Sequence, residues 1–321
     1  RITTVSYPLH QWLDALKGYS KEDISAWLQE GIEQEILGIL RFYLAETGVR
    51  NLSLAGGIFA NVRLNQKISL DSGVENIYVF PNMGDAGLSV GAGLLMAIEN
   101  RILPKAFDSA LLGLDIQESD VLKAISDTGV EASKPDLTEK AADTLAQGGI
   151  IARCAGRMEY GPRALGNRSI LAPAVNLRSD ISITKRLNSL LNRSDFMPFA
   201  PILRAENSSR CLKPQPNSFY AAQWMTINFQ ATDELKRLCP AIVHVDDSLR
   251  PQIVHRDKQP ELWSILEQYE QKTGLPCLIN TSFNIHEEPI VATALDGIRT
   301  FQNADLDGMI LGDYWIKRPS L

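Results

Sequence analysis

The first clear pattern in the chain is a polar start followed by apolar residues at helical spacing. Ser20 and Asp23 stand three residues apart, and Ile24, Trp27, Leu28, Ile32, Ile36, Ile39, Leu40 and Tyr43 follow. This spacing predicts an amphipathic helix from about Ile24 to Glu46, begun by a capping-box-like pair and stopped at Gly48. Short runs bounded by glycine come next. Asn51–Ala55 reads as a strand, Gly56-Gly57 as a loop and Phe59–Leu70 as a helix. Ile77–Phe80 reads as a buried strand, Pro81–Gly87 as a tight loop and Leu88–Asn100 as a helix of small and apolar residues. Strand, glycine loop and helix in alternation are the grammar of an α/β sheet with ligand loops at its strand ends. The same glycines would equally serve as tight turns with no ligand.

Between about Leu103 and Pro135 the periodicity weakens, and Pro104, Gly113 and Pro135 punctuate it. This stretch reads as a connection carrying one helix, about Glu118 to Asp127. A second unit opens with a helix near Thr138–Ala146 and the strand Ile150–Arg153, with further strand-like runs at Ile170–Ala172 and Leu275–Ile279. The expected organisation is therefore residues 1–110, a linker at 111–137, and residues 138–321.

Length and composition agree with two ordinary globular units. The chain has 321 residues, 45% of them apolar and 22% charged. A net charge of −6 argues against a protein built to coat nucleic acid or an anionic membrane. No apolar run approaches the roughly 20 residues needed to span a bilayer, and the N-terminus carries no signal peptide pattern, so a cytoplasmic location is expected. Cys154, Cys211, Cys239 and Cys277 are isolated and read as buried, reduced thiols. The four histidines form no metal-binding pair, and no complete metal site can be written.

Charge is unevenly spread. Ten basic residues, nine of them Arg, face four acidic ones between Arg153 and Arg210. Guanidinium groups suit planar oxyanions because they bind bidentately, although a solvated basic face has the same composition. Position favours the ligand. Gly156–Ser169 (GRMEYGPRALGNRS) sets three arginines among three glycines between two apolar strand-like runs, a rigid loop expected to form a phosphate-binding nest of backbone N–H groups. Asn280-Thr-Ser-Phe-Asn284, at the end of a buried strand, reads as a substrate-reading loop or as a turn satisfying its own backbone.

These segments carry a family likeness. Gly156–Ile170, Phe196–Pro201, Leu278–Asn284 and Glu288–Val291 resemble the carbamoyltransferases of the nodulation-protein and cephalosporin O-carbamoyltransferase family. Leu54–Asn61 and Pro81–Gly87 look like the second half of that family's ASKHA-type (ribonuclease H-like) transfer domain. The fold the resemblance implies is α/β, the second half of an ASKHA-type domain followed by a YrdC-like α/β domain. The implied chemistry has two steps. The YrdC-like domain would condense carbamoyl phosphate with ATP to carbamoyl adenylate and pyrophosphate, with Mg2+. The ASKHA-type domain would pass the carbamoyl group to a hydroxyl of an acceptor metabolite, with a divalent metal such as Fe2+ in the complete site.

Carried over position by position, Arg163, Arg250 and Ser282 would be catalytic. Arg157, Arg168, Asn188, Arg193, Asn280 and Asn284 would bind substrate or nucleotide, and Gly56, Gly57 and Asn61 would line the nucleotide site of the ASKHA half. Asp85 would be a metal ligand. Where many members have Asn-x-x-x-Lys, this chain has Asn188 and then Asn192-Arg193, one residue shorter, with Arg193 standing for the lysine. Asp246-Asp247-Ser248 replaces the family's Asp-Gly-Thr. The family's first ASKHA half, with its histidine pair, has no counterpart. Asp85 alone cannot supply the about three protein ligands of a catalytic metal. The chain is therefore expected to be a C-terminal portion of a longer enzyme. Small-molecule substrates are the expected partners, a homodimer is allowed, and no membrane is involved. The alternative reading is a YrdC-like RNA-binding or tRNA-modification module, in which the basic stretch would hold a phosphate backbone.

Overall fold

The computed structural model describes residues 14–105, 107–178, 182–191, 199–215, 218–285 and 288–318. Helix α1 (Lys21–Thr47) begins where the sequence predicts, with the Ser20 side chain accepting the Asp23 N–H, and it ends at Gly48 in the left-handed conformation. Its buried stripe differs from the one read in the sequence. Glu33, Leu37 and Leu44 are buried, whereas Trp27, Leu28, Ile32, Ile39 and Tyr43 are exposed. The helix is apolar on two adjoining faces, and periodicity alone does not say which one meets the core.

Strand β1 (Asn51–Leu54), helix α2 (Val62–Asp71), strand β2 (Asn76–Val79) and helix α3 (Leu88–Glu99) complete the N-terminal unit, and β1 and β2 pair in parallel. Its core is small: Leu54, Leu64, Ile68, Ile77 and Val79 are buried. Helix α3 buries none of its residues, and Leu95, Met96 and Ile98 are each more than half exposed.

The C-terminal unit is a mixed eight-stranded sheet. Its strands are β3 (Ala132–Ser133), β4 (Ile151–Cys154), β5 (Arg168–Pro173), β6 (Ala200–Arg204), β9 (Gln252–Val254), β10 (Cys277–Ser282), β11 (Gly308–Leu311) and β12 (Tyr314–Lys317). They lie in the order β3-β12-β11-β4-β5-β10-β6-β9. A separate two-stranded ribbon, β7 (Phe229–Gln230) with β8 (Ser248–Leu249), stands beside it. The sheet is covered on both faces. Arg153 of β4 reaches Glu261 in α7 (Pro260–Thr273), while its neighbour Cys154 lies against Gly297 of α8 (Ala294–Asn303). Successive strand residues point to opposite faces, so the two helices do as well.

The stretch 111–137 carries the expected helix as α4 (Glu118–Thr128), which buries Val121 and Ala124 and packs on α8. It also supplies the edge strand β3, absent from the sequence reading, which pairs with β12 through Ser133↔Trp315 and Ala132↔Ile316. Helix α5 (Leu137–Ala146) follows and packs on α7. Between the units runs a polar seam. Asn65 Nδ2 of α2 donates to the Phe59 and Thr226 carbonyls at 2.7 Å, the Ser69 and Ser218 hydroxyls meet at 2.6 Å, and the Asn228 N–H reaches the Val62 carbonyl at 3.2 Å.

Leu64 is fully buried in the small N-terminal core, and Leu95 is 57% exposed. Leu64→Ala is expected to cost about 2–5 kcal/mol of unfolding free energy. Leu95→Ala should stay within about 0.5 kcal/mol of the parent, both read by urea denaturation.

Candidate functional site

The Arg-rich loop, 156–167, joins β4 to β5 and is organised from within by an acid. Glu159 is buried, and its Oε1 accepts the backbone N–H groups of Leu165 (2.6 Å), Asn167 (2.8 Å) and Arg168 (3.2 Å). The expected nest of N–H groups is therefore present, but it holds the protein's own carboxylate. This corrects the expectation that those N–H groups face a phosphate. Further bonds hold the turn. The Gly166 N–H donates to Ser169 Oγ, Arg153 donates to the Gly166 carbonyl and to Asn167 Oδ1, and Asn167 Nδ2 donates to the Arg157 carbonyl. Gly166, at φ 111°, has no room for a side chain, because a Cβ there would sit 2.2 Å from Leu262 of α7.

The amide-hydroxyl turn does converge on this loop. Strand β10 pairs with β5 so that Ser282 lies opposite Ser169 and Thr281 opposite Ile170, and the Phe283 N–H donates to the Arg168 carbonyl at 3.0 Å. Asn280 is buried and donates to the Ala164 carbonyl (3.1 Å) and to Gln252 Oε1 (2.6 Å). Gln252 and Gln259 both donate to the Leu165 carbonyl, at 2.7 and 2.9 Å. The 164–165 peptide is thus clamped at both ends, its carbonyl by Asn280 and its N–H by Glu159. Next to that fixed peptide stands Arg163. It is partly buried, with no hydrogen bond or ion pair to any described residue. Burial alone pushes its guanidinium below the ordinary arginine value. It remains a cation, since arginine does not deprotonate in proteins.

The other expected residues divide by environment. Arg168 is fully buried, and its donors go to the carbonyls of Ala155, Gly156, Asn167, Leu114 and Ala292, so it braces the loop from behind. Arg157 is exposed and touches the Leu112 carbonyl at 3.3 Å. Ser282 donates to Asn284 Oδ1 (2.6 Å), and Asn284 Nδ2 donates to the Glu288 carbonyl (2.7 Å), the self-satisfying turn that the sequence also allowed. Arg250 is half-buried near His244, whose protonation is disfavoured by burial and by the Arg250 charge. Arg250 stands two residues before Gln252, which touches both loops. Asn188 is buried in α6 (Ile183–Leu190), and Arg193 lies outside the described residues.

In the N-terminal unit, Asn61 caps α2, accepting the Leu64 N–H at 3.0 Å and donating to Gln29 at 2.8 Å. Gly56 and Gly57 lie at the end of β1, and Gly56 (φ 116°) takes a conformation that glycine adopts without strain. Gly56 and the exposed Asp85 line a largely apolar cleft of about 700 Å³. Among the described residues no group of three or more His, Cys, Asp or Glu is placed to hold a metal ion. Asp85 is a lone carboxylate there, and these residues do not make a metal centre. A smaller cavity of about 210 Å³ beside Gly156 is walled by Glu118, Glu261 and Asp313, the wrong sign for a phosphate.

The family follows from comparison with known proteins. Residues 142–318 match the family described as Carbamoyltransferase C-terminus, and residues 8–94 match Carbamoyltransferase N-terminus. The chain belongs to the carbamoyltransferase family. Among its relatives in that family, nodulation protein NolNO of Sinorhizobium fredii is 36% identical over 92% of this chain and 44% of its own length. NolO of Bradyrhizobium diazoefficiens is 35% identical over 93% of this chain and 55% of its own. Protein MJ1058 of Methanocaldococcus jannaschii is 32% identical over 97% and 51%. The chain therefore spans about half the length of the curated relatives it matches. Among solved structures, full-length HypF in its phosphate- and nucleotide-bound form gives a TM-score of 0.39 at 17% identity, covering 59% of this chain and 22% of that one. A likeness this slight adds nothing to the fold described above.

Glu159, Gln252 and Gln259 were not among the residues read from sequence. Glu159 sits inside the motif, but an acid in a basic loop looks like a surface counter-charge, and the two glutamines carry no motif at all. Glu159→Ala leaves three buried N–H groups without an acceptor and is expected to lower the unfolding free energy by about 2–4 kcal/mol. Thermal or urea denaturation checks it, with Glu159→Gln falling between parent and Ala.

Proposed function

We propose that this chain binds carbamoyl phosphate and ATP at the Arg163 loop and forms carbamoyl adenylate there. In the complete enzyme the carbamoyl group then passes to a hydroxyl acceptor. One observation carries the reading: Arg163 is a partly buried cation without a hydrogen bond or ion pair to any described residue, held beside a peptide that is fixed at both ends. A desolvated, unpaired guanidinium is costly unless an anion completes it, and a fixed frame lets it meet that anion without reorganisation. Carbamoyl phosphate supplies such an anion. In the proposed chemistry water cleaves carbamoyl phosphate to carbamate and inorganic phosphate. A carbamate oxygen then attacks the α-phosphorus of ATP, and pyrophosphate leaves. Arg163 would stabilise the charge gathered on the phosphoryl oxygens, and Arg157 and Arg250 would serve the outer phosphates.

In this reading the large sheet is the YrdC-like unit. The parallel β1–β2 pair with its glycine loops is the second half of an ASKHA-type unit, whose cleft past Gly56 and Asp85 would take nucleotide and acceptor. ATP and Mg2+ enter as co-substrate and its counter-ion. No step is assigned to a resident metal, because Asp85 stands without the donors one needs.

The nucleic-acid reading loses its main support. Arg153 pairs with Glu261, Arg178 and Arg186 with Asp307, Arg204 with Glu267 and Glu270, and Arg210 with Glu234 and Glu270. Acids from elsewhere in the chain pair with five of the ten basic residues, so among the described residues the stretch is not a continuous basic strip for a phosphate backbone.

Incubation with ATP, carbamoyl phosphate and magnesium is expected to release pyrophosphate. Arg163→Ala should lower kcat/KM for carbamoyl phosphate about ten- to hundredfold. Its denaturation midpoint should match the parent's, because Arg163 bonds to no described residue. A variant as active as the parent removes Arg163 from the site.

A further inference from the structure

The loop that carries Arg163 has a second half that leaves the anion site and grips the N-terminal unit. Tyr160 directly follows the Glu159 peg. Its N–H donates to the Ala110 carbonyl at 2.6 Å, and its hydroxyl donates to the Ala86 carbonyl at 2.7 Å and lies 3.2 Å from Ser89 Oγ. Ala86 is the residue after Asp85, in the one-turn segment Asp85–Gly87 that walls the large cleft. The Tyr160 ring meets Phe80 edge to face at 6.4 Å. Gly161 lies so close to the preceding loop that a Cβ would stand 2.9 Å from the Pro81 carbonyl oxygen. Residues 159–161 therefore form a short stiff link. One end is pinned into the Arg163 turn by a carboxylate taking three N–H bonds, and the other is bonded to the backbone beside Asp85.

We propose that Tyr160 is a positioning residue that carries the state of the Arg163 loop to the Asp85 loop, so that an oxyanion seated at Arg163 sets the geometry of the cleft wall. The proposal rests on the reading that Arg163 takes an oxyanion. Its physical basis is that the link has no slack. The three bonds to Glu159 oppose movement of its first residue, Gly161 sits close against the Pro81 carbonyl, and the phenol transmits the remainder to Ala86. Coupling between sites requires such a continuous packed and bonded path.

The test uses the full 321-residue chain, with carbamoyl phosphate and pyrophosphate as separate probes. Binding is followed by calorimetry, and amide hydrogen exchange is read over residues 82–92. In the parent, a bound probe is expected to slow exchange there about threefold or more. Tyr160→Phe keeps the ring and loses the hydroxyl. It should bind the probe within about twofold of the parent while the slowing disappears, because one hydrogen bond is the transmitting contact. Ser89→Ala leaves the bond from Tyr160 to Ala86 in place and should retain the slowing. A purely structural role would instead raise exchange equally with and without probe, which overturns the proposal. Slowing that survives in Tyr160→Phe overturns it, as does a bound probe that leaves 82–92 unchanged in the parent. If pyrophosphate binds and gives the pattern while carbamoyl phosphate does not bind, the carbamoyl reading fails and the coupling stands. If neither binds, both fall.

Discussion

A single buried carboxylate sets the shape of the candidate site. Glu159 holds the end of its own loop by the N–H groups of Leu165, Asn167 and Arg168, and the rest of the arrangement depends on that. A loop rich in glycine and arginine would otherwise lose much of its order to conformational entropy and charge repulsion. With an internal acceptor it becomes a rigid turn, and the buried Arg168 adds bonds to five carbonyls from the other side. With its frame fixed from within by Glu159 and from outside by Arg153, Gln252, Gln259 and Asn280, the loop leaves Arg163 without a partner among the described residues. Charge-assisted bonds to backbone groups are stronger than neutral ones, which explains why an acid serves here rather than a serine or an asparagine.

The sequence revealed the outline and missed the division of labour. The motif Gly156–Ser169 and the turn Asn280–Asn284 were both singled out, and β5–β10 pairing does bring them together. Ser20 and Gly48 bound α1 as their chemistry dictates. What composition could not show was direction. Arg163 and Arg168 are the same residue type five positions apart, yet one is partly buried without a partner among the described residues and the other is fully buried among carbonyls. Strand β5 begins at Arg168, and the fold surrounds it from three segments far apart in sequence. The local excess of arginine was misleading for the same reason. Its counter-charges, Glu261, Glu267, Glu270 and Asp307, lie roughly sixty to a hundred and thirty residues away, beyond any sequence window.

The two units also solve the problem of burial differently. The large sheet is covered on both faces, and its strands β4, β5 and β11 are buried along their whole length. The N-terminal unit has two short strands and a helix, α3, with no buried residue. One continuous apolar core nevertheless runs from Leu54 and Leu64 through to Ile316, so the small unit takes much of its order from the larger one.

The seam where α2 meets the C-terminal unit includes amides and hydroxyls, Asn65, Ser69, Ser218 and the carbonyl of Thr226, with Asn65 Oδ1 and Asn228 Oδ1 buried and lacking a hydrogen-bond partner among the described residues. Groups of this kind exchange one partner for another, or for water, at a small net change in free energy. A joint of that chemistry tolerates wetting: water molecules can enter, take over the contacts one at a time and leave again. Parting would therefore begin at the polar side of α2, next to the apolar core that Leu64 and Ile68 share with the C-terminal unit.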